Sequence, residues 1–249
     1  MSKVDLHVKV LDKRVTERAK RRGLDALVFA PHFTRLPEIE AQCRQFQDEE
    51  LQIFPAREIF TGPWWDRRHV LAIGLTDPVP DFLPLESTIT ELRRQDAIIL
   101  APHPLFLSVS LRPNDLRRYR SDIRAIEQYN PKFLPIHTYR VRRLLSDLDM
   151  PSFATSYAHL RKSVGEVWTE FSTEINSMAD LESAIRDGEI DRIGRRRGFS
   201  HGWRRTLEFG HLGWENSWHK FRRVAIRGME PTHPDHPAYE GRFDDESDY

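Results

Sequence analysis

The stretch Asp5-Leu6-His7-Val8-Lys9 alternates polar and apolar side chains near the beginning of the chain. Residues two apart in a β-strand point to the same face, so His7 and Lys9 would share one face. A His-x-His pair at this spacing would supply two metal ligands. His-x-Lys keeps one ligand and adds a cation that does not coordinate metal while it is protonated. The nature of the fold and of any site therefore depends on what later segments bring to this strand.

Short apolar segments alternate with amphipathic segments through most of the chain, which is typical of a parallel α/β architecture. Ala26–Ala30 and Ala97–Ala101 are continuous apolar runs, as expected for strands buried on both faces. Further strands are predicted at Val4–Val10, Leu51–Ala56, Val70–Leu75, Ala125–Glu127, Ser152–His159 and Val167–Phe171. Helices are predicted at Asp12–Gly23, Pro37–Phe46, Leu85–Arg94, Asn114–Ser121, Tyr139–Leu148 and Met178–Arg186. Because seven of these β-segments precede residue 160, a barrel is favoured over an open sheet.

The last part of the chain differs in composition. Residues 191–228 combine basic groups with aromatic ones, and Trp203–Ile226 predicts one or two helices that pack on the barrel. Residues 229–249 contain prolines followed by Asp244-Asp245-Glu246, which predicts an acidic, partly disordered tail. The predicted organisation is therefore a barrel at 1–190, a helical extension and a tail.

Bulk properties exclude several classes of protein. Lys and Arg together number 38, as do Asp and Glu, so no net charge favours nucleic acid or membrane binding. The single cysteine, Cys43, excludes an intramolecular disulfide and a Cys-based zinc cluster, and it fits a reducing compartment. No apolar run reaches the ~18–20 residues of a membrane span. A soluble, cytoplasmic protein is expected, and its oligomeric state is left open.

Side chains that bind metals recur at or near the ends of the predicted strands, where barrel enzymes place their active sites. One such histidine is more often a hydrogen-bonded structural residue, but several on separate strand ends favour a metal site. With a single cysteine available, the ligands must be histidines and carboxylates. The candidates are His7, His32, Glu58, His69, His103 and His159.

In their order along the chain, these segments resemble the motifs of the PHP (polymerase and histidinol phosphatase) family of metal-dependent phosphoesterases. Asp5–Lys9 is similar to its Asp-Leu-His-x-His opening, Ala101–Pro104 to its Ala-His-Pro strand end, and Thr155–His159 to its Gly-Ser-Asp-Ala-His motif. Glu58 and His69 stand where the family has a metal-bridging Glu and a leading His. The resemblance implies a distorted (β/α)7 PHP-type barrel, here with a C-terminal helical extension.

The resemblance also implies a cluster of up to three divalent ions. The ligand sets would be Glu58 with His69 and His103, Glu58 with His7, and His32 with His159. Only the first set is complete, and three protein ligands leave a position open for water. One or two ions are therefore expected rather than three. Mn²⁺, Zn²⁺ and Fe²⁺ all suit such ligands.

Several ligands of the family pattern are replaced in this chain. Lys9 stands in place of the second His, Tyr157 in place of an Asp, and Pro31 and Phe33 in place of two Asp residues. Lys9 could lie against Glu58, replace the charge of a missing ion and stabilise phosphoryl oxygens. Alternatively, the two form a buried ion pair without chemistry, and the barrel is a non-catalytic scaffold that binds a nucleotide, RNA or protein.

The favoured function is hydrolysis of a phosphomonoester or nucleotide by metal-activated water, with a small phosphoester as the partner. His7 and Lys9 would orient and neutralise the phosphate. His159, or His32, would be a ligand or the general acid to the leaving oxygen.

Four more residues are weaker candidates. Arg57 and Arg68 are candidates for binding the phosphate, with a solvated face as the alternative. Glu127 and Ser156 are candidates for orienting a ligand histidine.

Two features leave nucleic acid open as a partner without favouring it. Trp64-Trp65 could stack on a nucleobase, although burial against the barrel is an equal alternative. Basic and aromatic residues interleave in Arg192–Arg227, which is the composition of an RNA-binding face, but a packed helix with a solvated polar side is favoured.

Overall fold

The predicted first strand is present, and eight more strands and six helices follow it in a computed structural model that describes residues 1–63, 66–106, 109–196, 198, 206–207, 210–211 and 231–243. The strands are β1 (Ser2–Val8), β2 (Ala26–Phe29), β3 (Gln52–Thr61), β4 (Arg68–Ile73), β5 (Ile98–Ala101), β6 (Ile123–Tyr129), β7 (Ser152–Ala154), β8 (Val167–Phe171) and β9 (Ile190–Arg195). The helices are α1 (Lys13–Arg21), α2 (Leu36–Phe46), α3 (Leu85–Arg94), α4 (Pro113–Arg118), α5 (Pro135–Leu148) and α6 (Met178–Arg186).

The strands form one sheet in the order β7-β6-β5-β4-β3-β2-β1-β8-β9. Thr169 of β8 links the sheet back to β7, because its hydroxyl accepts from the backbone N–H of Ala154 at 3.0 Å and donates to the Ala154 carbonyl at 2.9 Å. The sheet is thereby nearly closed into a barrel. The predicted α/β barrel is confirmed.

The sheet is mixed rather than wholly parallel. β1 to β3 and β5 to β7 are parallel runs, whereas β4 is antiparallel to both of its neighbours and β8 is antiparallel to β1. The connection from β3 to β4 covers only residues 62–67, which suits an antiparallel pair, since a parallel crossover needs about a dozen residues or more. The reversal of β4 positions one of the site residues described below.

Apolar side chains fill both faces of the sheet. One cluster unites alternate residues from β1 to β6 with α6, and two others join the opposite faces of the strands to α1, α2, α3 and α5. α1 begins at Asp12, whose side chain accepts a hydrogen bond from the backbone N–H of Val15 at 3.0 Å. Asp12 is therefore the N-cap of α1.

Two C-terminal features were not indicated by the sequence. Residues 190–195, most of which fall in the stretch described above only as basic and aromatic, form β9, an edge strand whose side chains are exposed or half-buried and so show no apolar alternation. Residues 231–243, which lie within the stretch expected to form a partly disordered tail, pack on the barrel. Thr232 is buried and its hydroxyl donates to Asp81, while Tyr239 and Phe243 join an apolar cluster. The apolar residues of 231–243 are too sparse to show the periodicity of a helix or a strand.

Parts of the sequence-based predictions lie outside the described residues. These are the Trp64-Trp65 loop, most of the Trp203–Ile226 helices and the acidic Asp244–Glu246 run. None of the described helices has the length and apolar character needed to cross a lipid bilayer.

Candidate metal centre

The carboxyl ends of the parallel strands meet at one edge of the barrel, and the predicted site residues lie there. His7 is near the end of β1, and His32, His103 and His159 follow β2, β5 and β7. His69 is near the beginning of β4. Because β4 runs against its neighbours, its beginning lies at the same edge as their ends. Five histidines from five strands are thus collected where barrel enzymes place their chemistry.

Side chains two residues apart in a strand point to the same face, and this alternation directs further polar groups into the barrel. The inner face of β3 carries Ala56 and, two residues later, Glu58. The inner face of β4 carries Leu71 and, two residues earlier, His69. Glu127 is placed on the inner face of β6 by the same alternation. The alternation of residues along each strand therefore explains why Glu58, His69 and Glu127 point into the barrel.

One oxygen of Glu58 faces three histidines. Its Oε1 lies 2.8 Å from Nε2 of His103, 3.4 Å from Nδ1 of His69 and 3.7 Å from Nε2 of His7. Nδ1 of His69 and Nε2 of His103 are 3.3 Å apart. All of these side chains are buried. Glu58 is therefore the centre of the cluster.

Glu58, His69 and His103 could hold a metal ion. Metal–ligand bonds of about 2.0–2.1 Å in a tetrahedral site separate the ligand atoms by about 3.3 Å. The three atoms here are 2.8–3.4 Å apart, which is the correct size for one face of such a site. Both ring nitrogens of buried His7 have no hydrogen-bond partner within the described chain. The donor set fits a divalent ion that prefers nitrogen and oxygen.

The other oxygen of Glu58 is occupied by a cation. Nζ of Lys9 lies 2.6 Å from Oε2 and donates to the Ala30 carbonyl at 2.5 Å, while Nδ1 of His32 lies 3.1 Å from the same Oε2. Burial alone would raise the pKa of Glu58, but the positive charge of Lys9 holds that pKa well below its usual range. Burial and Lys9 together lower the pKa of His7. The carboxylate is therefore ionised and its neighbouring imidazole neutral.

A second ammonium group lies beside His159. Lys132 is completely buried, and its Nζ lies 2.7 Å from Nδ1 of His159, 2.9 Å from the Tyr157 carbonyl and 3.7 Å from the centre of the Tyr157 ring. Burial, followed by the charge of Lys132, lowers the pKa of His159. The sequence did not suggest Lys132, because a lysine in an Asn-Pro-Lys turn is usually on the surface. Its position just after β6 was the available signal.

Glu127 and Ser156 support the surrounding loops. Glu127 accepts from the backbone N–H of His103 at 2.6 Å and from the Asn130 amide at 2.9 Å, so it fixes the turn that carries the histidine. Burial raises the pKa of Glu127. The backbone N–H of Ser156 donates at 2.9 Å to Asp5, and burial raises the pKa of that carboxyl to about 7. Both contacts connect strand ends rather than reach into the cluster.

The two arginines predicted to bind phosphate lie away from Glu58. Arg57 is the neighbour of Glu58 in β3 and so points to the opposite face. There it is buried, lies 2.9 Å from Asp81 and donates to the Thr34 carbonyl. Arg68 is held by Asp66 at 2.8 Å and Asp115 at 3.1 Å. In this arrangement both guanidinium groups are engaged by the protein itself.

A cleft of about 710 Å³ borders the cluster. The buried Lys9 and His159 line it together with Asp12, Arg161 and Lys162. The cationic side chains on this surface suit an anionic ligand. The cleft therefore connects the centre with a space that could accept a small molecule.

Comparison with known proteins gives one family match and several matches of fold. Residues 135–190 match a family model described as PHP-associated. None of the curated proteins compared with the chain matches it.

Three solved structures share the fold over most of this chain. PsfC from Pseudomonas syringae PB-5123 superposes with a TM-score of 0.63 and 19% identity, covering 86% of this chain and 98% of that one. Endonuclease Q, in complex with a 27-mer duplex substrate with an abasic lesion at the active site, superposes with a TM-score of 0.53 and 15% identity. This match covers 75% of this chain and 56% of that one. An amidohydrolase from Chromobacterium violaceum with bound SO4 and no metal superposes with a TM-score of 0.53 and 11% identity. This match covers 77% of this chain and 97% of that one. The match at residues 135–190 and the barrel together confirm the resemblance of this chain to the PHP family.

Proposed function

We propose that the chain is a metal-dependent hydrolase of phosphoesters, with a phosphomonoester or nucleotide as substrate. The observation that carries the proposal is the triangle of Glu58, His69 and His103, whose ligand atoms lie 2.8–3.4 Å apart in a buried site. Mn²⁺, Zn²⁺ and Fe²⁺ are the candidate ions. The PHP-associated match at residues 135–190 supports the same class of reaction.

The side chains around the triangle have distinct roles in this proposal. Glu58, His69 and His103 would hold a divalent ion, which would supply Lewis acidity and a water that is nucleophilic at neutral pH. Lys9, which lines the cleft, neutralises the substrate phosphate, and His7 helps to orient it. His32 lies against the Lys9 side of Glu58, where it is placed to bind a second ion or to transfer a proton to the leaving oxygen.

The cleft favours a small anionic substrate. Lys9, Arg161 and Lys162 on its wall outnumber the single acidic group, Asp12, which is paired with Arg161. The likeness to endonuclease Q, whose structure contains a 27-mer duplex substrate, adds a phosphodiester to the substrates that should be tested.

The test combines metal analysis with an activity panel. The protein is purified without chelator, its metal content per chain is measured by mass spectrometry, and a phosphomonoester, a nucleotide and a phosphodiester are assayed with added Mn²⁺. About one ion per chain and hydrolysis of at least one substrate are expected. His103→Ala should lose both, whereas His236→Ala, a change at a histidine that accepts from the backbone N–H of Ala238 in its own turn, should lose neither. Less than about a tenth of an equivalent of metal with no activity on added Mn²⁺ contradicts the proposal.

A second candidate function is a non-catalytic scaffold that binds a nucleotide, RNA or protein. The observation in its favour is the Lys9–Glu58 pair, which takes up one carboxylate oxygen that a second ion would otherwise use. Retained nucleotide binding in a metal-free protein, unchanged in His103→Ala, would favour the scaffold over the hydrolase.

A further inference from the structure

Lys132 is buried between Tyr157 and His159, which lie in the loop after β7. Its backbone N–H donates to the side chain of Asn130 at 2.9 Å, which fixes the turn after β6. Its Nζ then lies 2.7 Å from Nδ1 of His159 and 2.9 Å from the Tyr157 carbonyl. The ammonium also lies 3.7 Å above the Tyr157 ring, a favourable cation–π contact. The position of Lys132 is thus set by contacts on several sides.

This contact determines which nitrogen of His159 carries the proton. An ammonium group has donors and no acceptor, so at 2.7 Å Nδ1 of His159 must accept. A proton on Nδ1 would place two N–H groups against each other. The Tyr157 carbonyl lies 3.1 Å from Nδ1 and has a second lone pair, but a hydrogen bond to it from Nδ1 would require that Nδ1–H to face the ammonium of Lys132 at 2.7 Å, so the shorter contact decides. The neutral ring therefore carries its proton on Nε2.

The same arrangement opposes metal coordination by His159. A histidine ligand normally binds the metal through one nitrogen while the other, protonated, donates to a carboxylate or carbonyl. Here Nδ1 is the acceptor for Lys132, so a metal on Nε2 would require an imidazolate ring or the displacement of Lys132. His159 is among the residues predicted as metal ligands, and its surroundings make it a donor instead.

We propose that Lys132 holds His159 as an Nε2–H donor, and that His159 binds a phosphoryl oxygen of the substrate rather than a metal ion. His159 and Lys9 both line the 710 Å³ cleft, and the backbone N–H of Lys9 donates at 2.9 Å to the carbonyl of Ala158, so a phosphate that enters there meets a neutral donor and a cation. Lys132 is then a positioning residue that acts through His159. The proposal rests on the proposed function for the identity of the substrate, but not for the protonation of the ring.

The protonation is tested directly in the unmodified protein. Nitrogen-15 NMR of the imidazole rings, with His159 assigned by its disappearance in His159→Gln, should show a protonated Nε2 and an unprotonated, hydrogen-bonded Nδ1. Lys132→Met should abolish this preference. A protonated Nδ1 in the unmodified protein would overturn the proposal, even if Lys132→Met failed to fold.

Metal content and phosphate binding separate the donor role from a ligand role. His159→Ala should keep the metal content of the unmodified protein, whereas His103→Ala should lose it. Binding of inorganic phosphate should weaken about 10- to 100-fold in His159→Ala, as expected for the loss of a hydrogen bond to a charged group, and by less than about threefold in His159→Gln, whose amide can still donate. A loss of metal in His159→Ala as large as in His103→Ala contradicts the proposal. A protein that binds phosphate through His159 but hydrolyses nothing would refute the proposed function alone.

Discussion

Nζ of Lys9 lies 2.6 Å from Oε2 of Glu58, inside a site where both side chains are almost completely buried. A metal-binding motif with His at position 9 would place a neutral ligand at that point. Lys9 places a full positive charge there instead, on the carboxylate that also faces His69 and His103. The cluster thus has the ligands for one metal ion. Where a second ion would bind beside it, the cluster has the ammonium group of Lys9.

Lys9→His is expected to raise the metal content. The substitution removes the cation from Oε2 of Glu58 and adds an imidazole, so the neighbouring position gains a ligand and loses a repelling charge. Metal per chain, measured after dialysis against Mn²⁺ or Zn²⁺, should rise from about one ion towards two. Lys9→Met is the matched control, because it removes the charge without adding a ligand. An unchanged content in Lys9→His would indicate that the second position cannot re-form.

Arg57 is expected to act on stability rather than on substrate binding. Its guanidinium lies 2.9 Å from Asp81 on the outer face of β3, and both groups are buried. Arg57→Met should lower the free energy of unfolding by about 3–5 kcal/mol, because it leaves Asp81 charged and without its ion-pair partner. Urea unfolding of Arg57→Met and of the double variant with Asp81→Leu would measure this, and the double variant should recover most of the loss. A raised KM with unchanged stability would instead support phosphate binding.

The direction of Arg57 also shows what the sequence could have indicated. Glu58 and Arg57 are adjacent in a strand, so alternation requires one to face the barrel and the other to face away. His7, Glu58, His69 and His103 were predictable for the same local reason: each lies near a strand end beside an apolar run. Their convergence followed from the barrel, which the pattern of segments predicted.

Lys132, β9 and residues 231–243 could not be predicted in this way. The burial of Lys132 depends on loops after β6 and β7 that meet only in three dimensions. β9 pairs with β8 through its backbone and shows little apolar pattern. Thr232 owes its burial to Asp81, which is distant in sequence. In each case the determining contact is long-range and leaves no periodic signal.

Cys43 is expected to be unreactive in the folded protein. The thiol is buried in the apolar cluster between α2 and the sheet, and burial raises its pKa to about 12. The reactive thiolate is therefore scarce at pH 8. Reaction with a chromogenic disulfide should be at least about 100-fold slower in buffer than in 6 M guanidinium chloride, where the pKa returns to its ordinary value. Fast reaction of the folded protein would show that α2 opens readily.

The stability contributed by Asp12 should depend on pH. Asp12 caps α1 through the Val15 N–H and pairs with Arg161. Partial burial opposes ionisation, but these contacts lower the pKa of Asp12 below its ordinary value of 3.8. A lowered folded pKa gives stability that is present above pH 3.8 and is lost as the pH falls through the folded pKa. Asp12→Ala should therefore cost about 1 kcal/mol at pH 7, and the difference from the unmodified protein should shrink below about pH 4. Asp12→Asn, which keeps a capping oxygen but loses the charge, should cost less at pH 7. A cost of Asp12→Ala that does not change between pH 7 and pH 3 in urea unfolding would show that the charge of Asp12 contributes nothing.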